Sequence, residues 1–424
     1  MWSDLDYLLL RESKLAPEEF QPGEETKTML MEYARVLVVG AGGLGCEILK
    51  NLALSGFTDI EVIDLDRIDV TNLNRQFLFR EKDVGNFKSE VAAKFIMERI
   101  PTCKVTPHTS PIQDFDQNFY SDFHIIIAGL DNLEARRWLN TMLHDLVRFD
   151  SNGEPLPETI RPLIDGGSEG FKGQSRIVIP YKTACYECTL ALAAPQTSYP
   201  ICTIAETPRI PEHCIQYAFV LEWPNHFERK PDTDSAEDMN WVFEKAKERA
   251  EAYGIEGVTY SITIGVVKNV IPAIASTNAL IAAECCLEAL KIGTYCGKPV
   301  ENYFMYMGQT GINTMTSAME KDPQCLVCSN KPSEVTFPRT SKLKELLEYL
   351  CSEEAKFRMK GPGISTDKGI LYIPRPPSLE AKHSYKLELS FEELIQKGLY
   401  EMGSMLEVTD PTISTSLKIN LILT

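Results

Sequence analysis

The chain has 424 residues, too many for one hydrophobic core and enough for roughly two or three domains. Apolar residues make up 44% and charged residues 24%, an ordinary globular balance, and 43 basic against 60 acidic side chains leave a formal charge of −17, which argues against broad attraction to nucleic acid. MWSDLDYLLLRESK lacks the basic flank of a secretory signal and no run reaches the roughly 18 apolar residues of a membrane span, so the twelve cysteines are expected in the reducing cytoplasm or nucleus, doing metal or thiol chemistry.

Residues 1–34 read as a helical lead-in with a loop at Pro22 and Gly23. ARVLVVGAGGLGCEILKNLALSGFTDIEVIDLD then reads as strand, glycine turn, helix and strand: 35–39 is a continuous apolar run of the buried type, and 44–55 has helical spacing. Further strands are predicted at 104–107, 125–128, 161–164 and 176–179, with helices at 89–99 and 134–147 between them. That alternation predicts an α/β fold with a parallel-dominated, Rossmann-like sheet over 1–182. From 183 to 257 the texture changes to several prolines, three cysteines besides Cys185, and an acidic loop before a helix at 241–253, which predicts an inserted, mostly helical domain. Apolar helical sequence at 266–292 and a strand at 303–307 return the chain to the first domain over 258–331. Over 332–424, strands at 334–338, 370–373 and 417–423 with amphipathic LKELLEYL suit a β-grasp, ubiquitin-like module.

Gly40, Gly42, Gly43 and Gly45 stand as GxGxxG with extra glycine at 43, between the predicted strand and helix. Such a turn lets a phosphate approach the backbone and the positive helix N-terminus. Asp64 closes the next strand 24 residues after Gly40, where an acid accepts from a ribose hydroxyl. To this point NAD, FAD and ATP fit equally. Asn72, Arg75 and Lys88 follow in DVTNLNRQFLFREKDVGNFKSE, and Asp131 follows the strand 125–128. Displacing pyrophosphate from a triphosphate needs fixed cations and magnesium, which shifts the balance to ATP, with Asp131 as a magnesium ligand.

VVGAGGLGCE, VIDLDRIDVTNLNRQFLF, VGNFKSEVA and GLDNLEARRW resemble the adenylation domain shared by ubiquitin-like-protein activating enzymes and bacterial molybdopterin-synthase adenylases. The resemblance implies that Asp64 binds the ribose, that Asn72, Arg75 and Lys88 bind phosphates, that Asp131 binds magnesium, and that a protein's C-terminal glycine carboxylate is joined to AMP. GGSEGFKGQSRIVIP, ACYEC and CTIAETPRIPEHCI, with the tail, resemble the catalytic subunits of neddylation-type activating enzymes in particular.

Cys185, Cys188, Cys325 and Cys328 form two CxxC pairs separated by 137 residues, a spacing that suits zinc but is far from a local finger. The resemblance places a structural zinc there. Cys202 and Cys214 are equal rivals on local chemistry for a nucleophile, Cys202 because Pro200 and Thr203 favour a thiol at a helix start. The resemblance chooses Cys202 for the thioester and leaves Cys214 structural. It further implies that Arg176 helps select the modifier, and that the activated modifier passes to a conjugating enzyme docked on the C-terminal module. The subunit is expected to work as a heterodimer with a regulatory chain resembling the other half of a ubiquitin-activating enzyme. Only Arg11 precedes Arg35, so an arginine lent across the interface is expected from that chain. Rival readings are sulfur-carrier adenylation, which leaves the insertion and tail unexplained, a noncatalytic subunit, which the presence of Arg75, Lys88, Asp131 and Cys202 opposes, and a nicotinamide dehydrogenase. Neither a nucleic-acid nor a membrane partner is expected.

Overall fold

A computed structural model describes residues 2–14, 16–192, 208–233, 235–267, 273–329, 331–352 and 355–424. The chain divides into two compact units, Met1–Leu192 with Ala273–Thr424, and Ala193–Pro272.

The larger unit is built on an eight-stranded sheet in the order β3-β2-β1-β4-β5-β6-β7-β8. Its strands are β1 (Arg35–Val39), β2 (Asp59–Ile63), β3 (Lys104–His108), β4 (Ile125–Ala128), β5 (Leu163–Glu169), β6 (Lys172–Val178), β7 (Tyr303–Met307) and β8 (Asn313–Ser317). The first five are parallel; β6, β7 and β8 add antiparallel. β1 and β4 lie at the centre, and their RVLVV and IIIA runs are buried because both faces of the sheet are covered. On one face helices α1 (Gly43–Leu54), α2 (Lys88–Arg99) and α7 (Ala275–Thr294) enclose Val36, Val38, Ile48, Ile60 and Cys285. On the other, α3 (Leu133–Asp145) encloses Leu37, Ile126, Trp138 and Leu139. Buried Leu5, Leu9 and Leu30 of the N-terminal lead-in complete the first face.

Residues 333–424 form a second sheet in the order β11-β10-β12-β13-β9, with β9 (Ser333–Phe337) and β13 (Leu417–Leu423) parallel and the other pairs antiparallel. Its remaining strands are β10 (Gly363–Thr366), β11 (Gly369–Tyr372) and β12 (Met405–Thr409). Helix α8 (Leu343–Cys351) buries Leu343, Leu346 and Leu350 against Ile364, Leu406 and Ile419, which gives the grasp its own core.

The smaller unit packs α4 (Pro211–Gln216), α5 (Ala236–Tyr253) and α6 (Tyr260–Val267) around Ile215, Trp223, Met239 and Val242. Its bounds differ from the 183–257 read from composition for two reasons. Residues 183–190 turn back beneath β6 and hold two of the paired cysteines, and 260–267 packs on α4 and α5 rather than continuing into α7. The apolar stretch 266–292 is therefore not one helix: α6 ends at Val267 and α7 begins at Ala275.

Candidate functional site: a nucleotide crevice and a four-cysteine knuckle

The strand order reverses between β1 and β4, and the carboxyl ends of the strands at such a switch point are the usual place for a ligand crevice in a doubly wound sheet. Gly40 leaves β1 at φ +101°, a left-handed conformation that favours glycine, and a Cβ there would lie 2.8 Å from the Gly129 carbonyl oxygen. At Gly45 a Cβ would fall 1.9 Å from the Gly40 carbonyl oxygen, so any side chain would break the turn. Gly42 is the N-cap of α1 and no side chain hydrogen-bonds to that end, which leaves amide N–H groups at the start of a twelve-residue helix for an anion.

Asp64 reaches back from the end of β2 and accepts from the Ala41 N–H at 2.6 Å and the Asp66 N–H at 2.9 Å. Burial pushes its carboxyl above the usual range, opposed by the Lys88 ammonium and by those N–H groups. Lys88 opens α2, is buried, and pairs with Asp66 at 2.8 Å. Asn72 caps its own turn, accepting from the Asp69 N–H at 2.9 Å. Arg75 is half-buried, and its Cγ lies 3.6 Å from where a Cβ on Gly43 would stand. It donates to the Thr71 carbonyl and the Asn74 side chain, both at 3.0 Å. Asp131 is exposed two residues beyond Gly129, the residue that packs on Gly40. The glycine turn thus meets Asp64 through Ala41, Arg75 at Gly43 and the Gly129 backbone at Gly40, with Lys88 paired to Asp66 beside Asp64 and Asp131 two residues after Gly129.

A nucleotide fits this lining on an observation independent of the motif. The buried Gln76 side chain has its Nε2 3.9 Å from where a Cβ on Gly42 would stand, and its Oε1 has no hydrogen-bond partner. A phosphate oxygen at the turn could accept from that Nε2, whereas the Oε1, an acceptor, would need a donor such as a ribose hydroxyl.

Sequence reasoning missed the polar group behind the crevice. Arg136 is bonded to buried Asp165 and to the Leu130 carbonyl, and donates to the Gly166 carbonyl at 2.9 Å. Asp165 also faces Arg176, whose Nε lies 3.6 Å from its second oxygen. Arg176 is buried, hydrogen-bonded to Thr189, and stacked over Tyr186 at 4.6 Å, an interior position rather than that of a solvated strand arginine. The signal available was the alternation of β5 and β6, which turns Asp165 and Arg176 toward each other in register.

The four paired cysteines, 140 residues apart across the fold, come together. Cys185 lies 3.8 Å from Cys188 and 3.5 Å from Cys325, Cys188 lies 3.4 Å from Cys328, and all four sulfurs lie within 4.8 Å of one another. A tetrahedral zinc with bonds of about 2.3 Å needs sulfurs roughly 3.8 Å apart, so the donor set fits that ion and leaves no open coordination position. Packed this closely the four thiols act on one another: hydrogen bonds from Cys185 and its neighbours hold Cys188 and Cys328 below the usual thiol range, while burial pushes Cys185 up.

Cys202, Pro200 and Thr203 lie outside the described residues. Its rival Cys214 is fully buried in α4, and burial pushes its thiol up, away from the nucleophilic thiolate. Cys46, Cys103, Cys285 and Cys286 are buried as well; Cys296 is half-buried and Cys351 exposed.

A family model described as the ThiF family matches residues 15–327, and one described as E2 binding domain matches 336–423. The chain is 44% identical to the Nedd8-activating enzyme E1 catalytic subunit of Drosophila melanogaster, over 99% of this chain and 94% of that protein. To the protein of the same name from Arabidopsis thaliana it is 48% identical, over 92% and 86%. The counterpart from Saccharomyces cerevisiae is 39% identical and covers 70% of this chain while 99% of its own length is matched.

Proposed function

Because the chain belongs to the ThiF family and, within it, to the NEDD8-activating enzyme E1 catalytic subunits, we propose that its nucleotide crevice adenylates the C-terminal glycine of the modifier and that Cys202 then carries the thioester. The chain is an ATP-dependent activating enzyme that serves NEDD8 and delivers it to a conjugating enzyme through its E2-binding domain. The observation that carries the residue-level reading is the convergence of the glycine turn, Asp64 and Arg75 at the carboxyl ends of β1 and β2, flanked by Lys88 and Asp131.

In the first step a modifier carboxylate oxygen bonds to the α-phosphorus of ATP and the bond to pyrophosphate breaks. Asp64 would hold the ribose, and Asn72, Arg75, Lys88 and the α1 N-terminus would hold phosphate oxygens. Magnesium at Asp131 would neutralise charge on the departing pyrophosphate. In the second step the Cys202 thiolate, its proton lost to solvent, attacks the acyl carbon and expels AMP. Zinc at Cys185, Cys188, Cys325 and Cys328 would be structural. Arg176 would bear on modifier choice through the buried group it shares with Asp165, next to the Gly166 and Gly167 backbone. A regulatory chain, completing a heterodimer and lending an arginine, and a place in the cytoplasm or nucleus belong to the same proposal.

The test is Cys202→Ala in the enzyme assembled with its regulatory chain. ATP–pyrophosphate exchange should persist while the thiol-sensitive modifier adduct on a non-reducing gel disappears. A variant that still forms a reducible adduct sinks the assignment of Cys202.

A further inference from the structure

Arg137 stands next to Arg136 on α3 but points the other way, and it is the least exposed arginine among the described residues, at 2%. Its Nε and Nη2 donate to the two oxygens of Glu187 at 3.0 and 2.6 Å. Nη2 also donates to the Phe357 carbonyl at 2.8 Å, and Nη1 to the Arg358 carbonyl at 2.9 Å and the Thr412 hydroxyl at 3.2 Å. One guanidinium therefore joins three parts of the chain: the helix that begins beside Asp131, the first cysteine pair and the E2-binding domain.

Glu187 sits inside Cys185-Tyr186-Glu187-Cys188, so the knuckle fixes its position. The second pair reaches the same domain: Leu326, between Cys325 and Cys328, packs against the domain's core, and Gln324 accepts from Lys356 at 2.9 Å. The second loop of the knuckle thus touches the E2-binding domain through Leu326, and the first reaches it through Glu187 and the arginine that Glu187 holds.

The division of partners matters. Arg137 and Glu187 both belong to the adenylation side and pair with each other there, whereas the domain offers two carbonyls and one hydroxyl. Glu187 takes two of the five guanidinium N–H bonds and the domain takes the other three, so the pair presents a polar socket whose geometry becomes fixed when the domain fills it.

We propose that Arg137 is a positioning residue for transfer: with Glu187 it forms the socket that holds the E2-binding domain, and the four-cysteine knuckle sets that socket. The metal site then serves delivery of the modifier rather than adenylation. This rests on the reading of residues 336–423 as the domain that receives the conjugating enzyme.

The experiment uses the enzyme assembled with its regulatory chain, and compares the parent with the double substitution Arg137→Met and Glu187→Met, which removes both charges and leaves neither buried alone. ATP–pyrophosphate exchange should stay within about twofold and single-turnover transfer to the conjugating enzyme should fall by about tenfold or more, since positioning acts on the transfer step alone. Hydrogen exchange should accelerate at 356–361 and 410–414 while the domain's own core keeps its protection, and affinity for the conjugating enzyme should be unchanged. Chelating the knuckle metal from the parent should produce the same exchange pattern. Thr412→Val repeats the test from the domain's side with a smaller loss in the same direction. Transfer and protection equal to the parent in the double variant would overturn the proposal, as would a proportional loss of pyrophosphate exchange, which marks a general folding defect. Absence of transfer in the parent would instead count against the reading of the domain itself.

Discussion

The nucleotide crevice and the knuckle junction both set arginines near carboxylates and carbonyls, yet they leave them in opposite states. Arg75 in the crevice is half-buried and bonds only within its own turn, to the Thr71 carbonyl and Asn74. Arg137 at the junction is buried and bonded to four residues drawn from 50 to 275 positions away. A charge kept at the surface with weak local partners can exchange them for a phosphate at little cost. A charge taken out of water must be matched completely, and after that it holds structure together.

If that contrast is right, the largest effect on stability belongs to the junction. Arg137→Met alone leaves Glu187 buried and unpaired, and should destabilise the chain by about 3–5 kcal/mol in denaturant unfolding. Adding Glu187→Met should recover most of that loss. A single substitution that costs no more than the double would show that the pair is not the buried, matched ion pair described here.

The crevice should respond in the other currency. On the role proposed for it, Arg75→Ala removes a phosphate donor and should lower pyrophosphate exchange by about 10²–10³-fold, equivalent to about 2.7–4 kcal/mol of barrier. Because its present bonds are local and partly exposed, the melting midpoint should move by an amount equivalent to no more than about 0.5 kcal/mol. An Arg75 variant that loses stability and activity together would erase the distinction between the two regions.

The same distinction governs how much was legible in the sequence. The crevice is written in short stretches: a glycine turn between an apolar strand and a helix, an acid at the next strand end, and charges soon after, so local pattern placed Asp64, Arg75 and Lys88 at one end of the sheet. The two CxxC pairs were visible for the same reason. The junction was not visible, because Arg137, Glu187 and Thr412 belong to no motif and meet only through the fold. Asp165 with Arg136 was hidden likewise, 29 residues apart on unrelated elements. In the C-terminal module β9, α8 and β13 were legible from apolar periodicity, whereas four-residue β10 carries too few residues to alternate, and β12, whose Leu406 and Val408 do alternate with exposed neighbours, was a signal passed over. β8 escaped because nearly all of NTMTS faces solvent.

The smallest expected effect sharpens the comparison at a single carboxyl. Asp145, in the last turn of α3, accepts from the Ser414 hydroxyl of the E2-binding domain at 2.9 Å, and burial pushes its carboxyl up to about 6 against the opposing effect of that hydrogen bond. A carboxyl whose folded value lies above its unfolded value binds more protons in the native state across the interval between them. Stability therefore rises as pH falls through about 6 and levels off near the unfolded value of about 4; at neutral pH the ionised, half-buried group opposes docking. Asn at this position keeps an oxygen for Ser414 and carries no charge. Asp145→Asn should therefore raise stability at pH 7.5 by about 1 kcal/mol, the full shift being discounted for partial exposure, and should flatten the pH dependence between about 4 and 6. Thermal melts of parent and variant across that range decide it: parallel curves, or a variant less stable at pH 7.5, would mean that this end of the junction is hydrated and that Arg137 alone bears the contrast with the crevice.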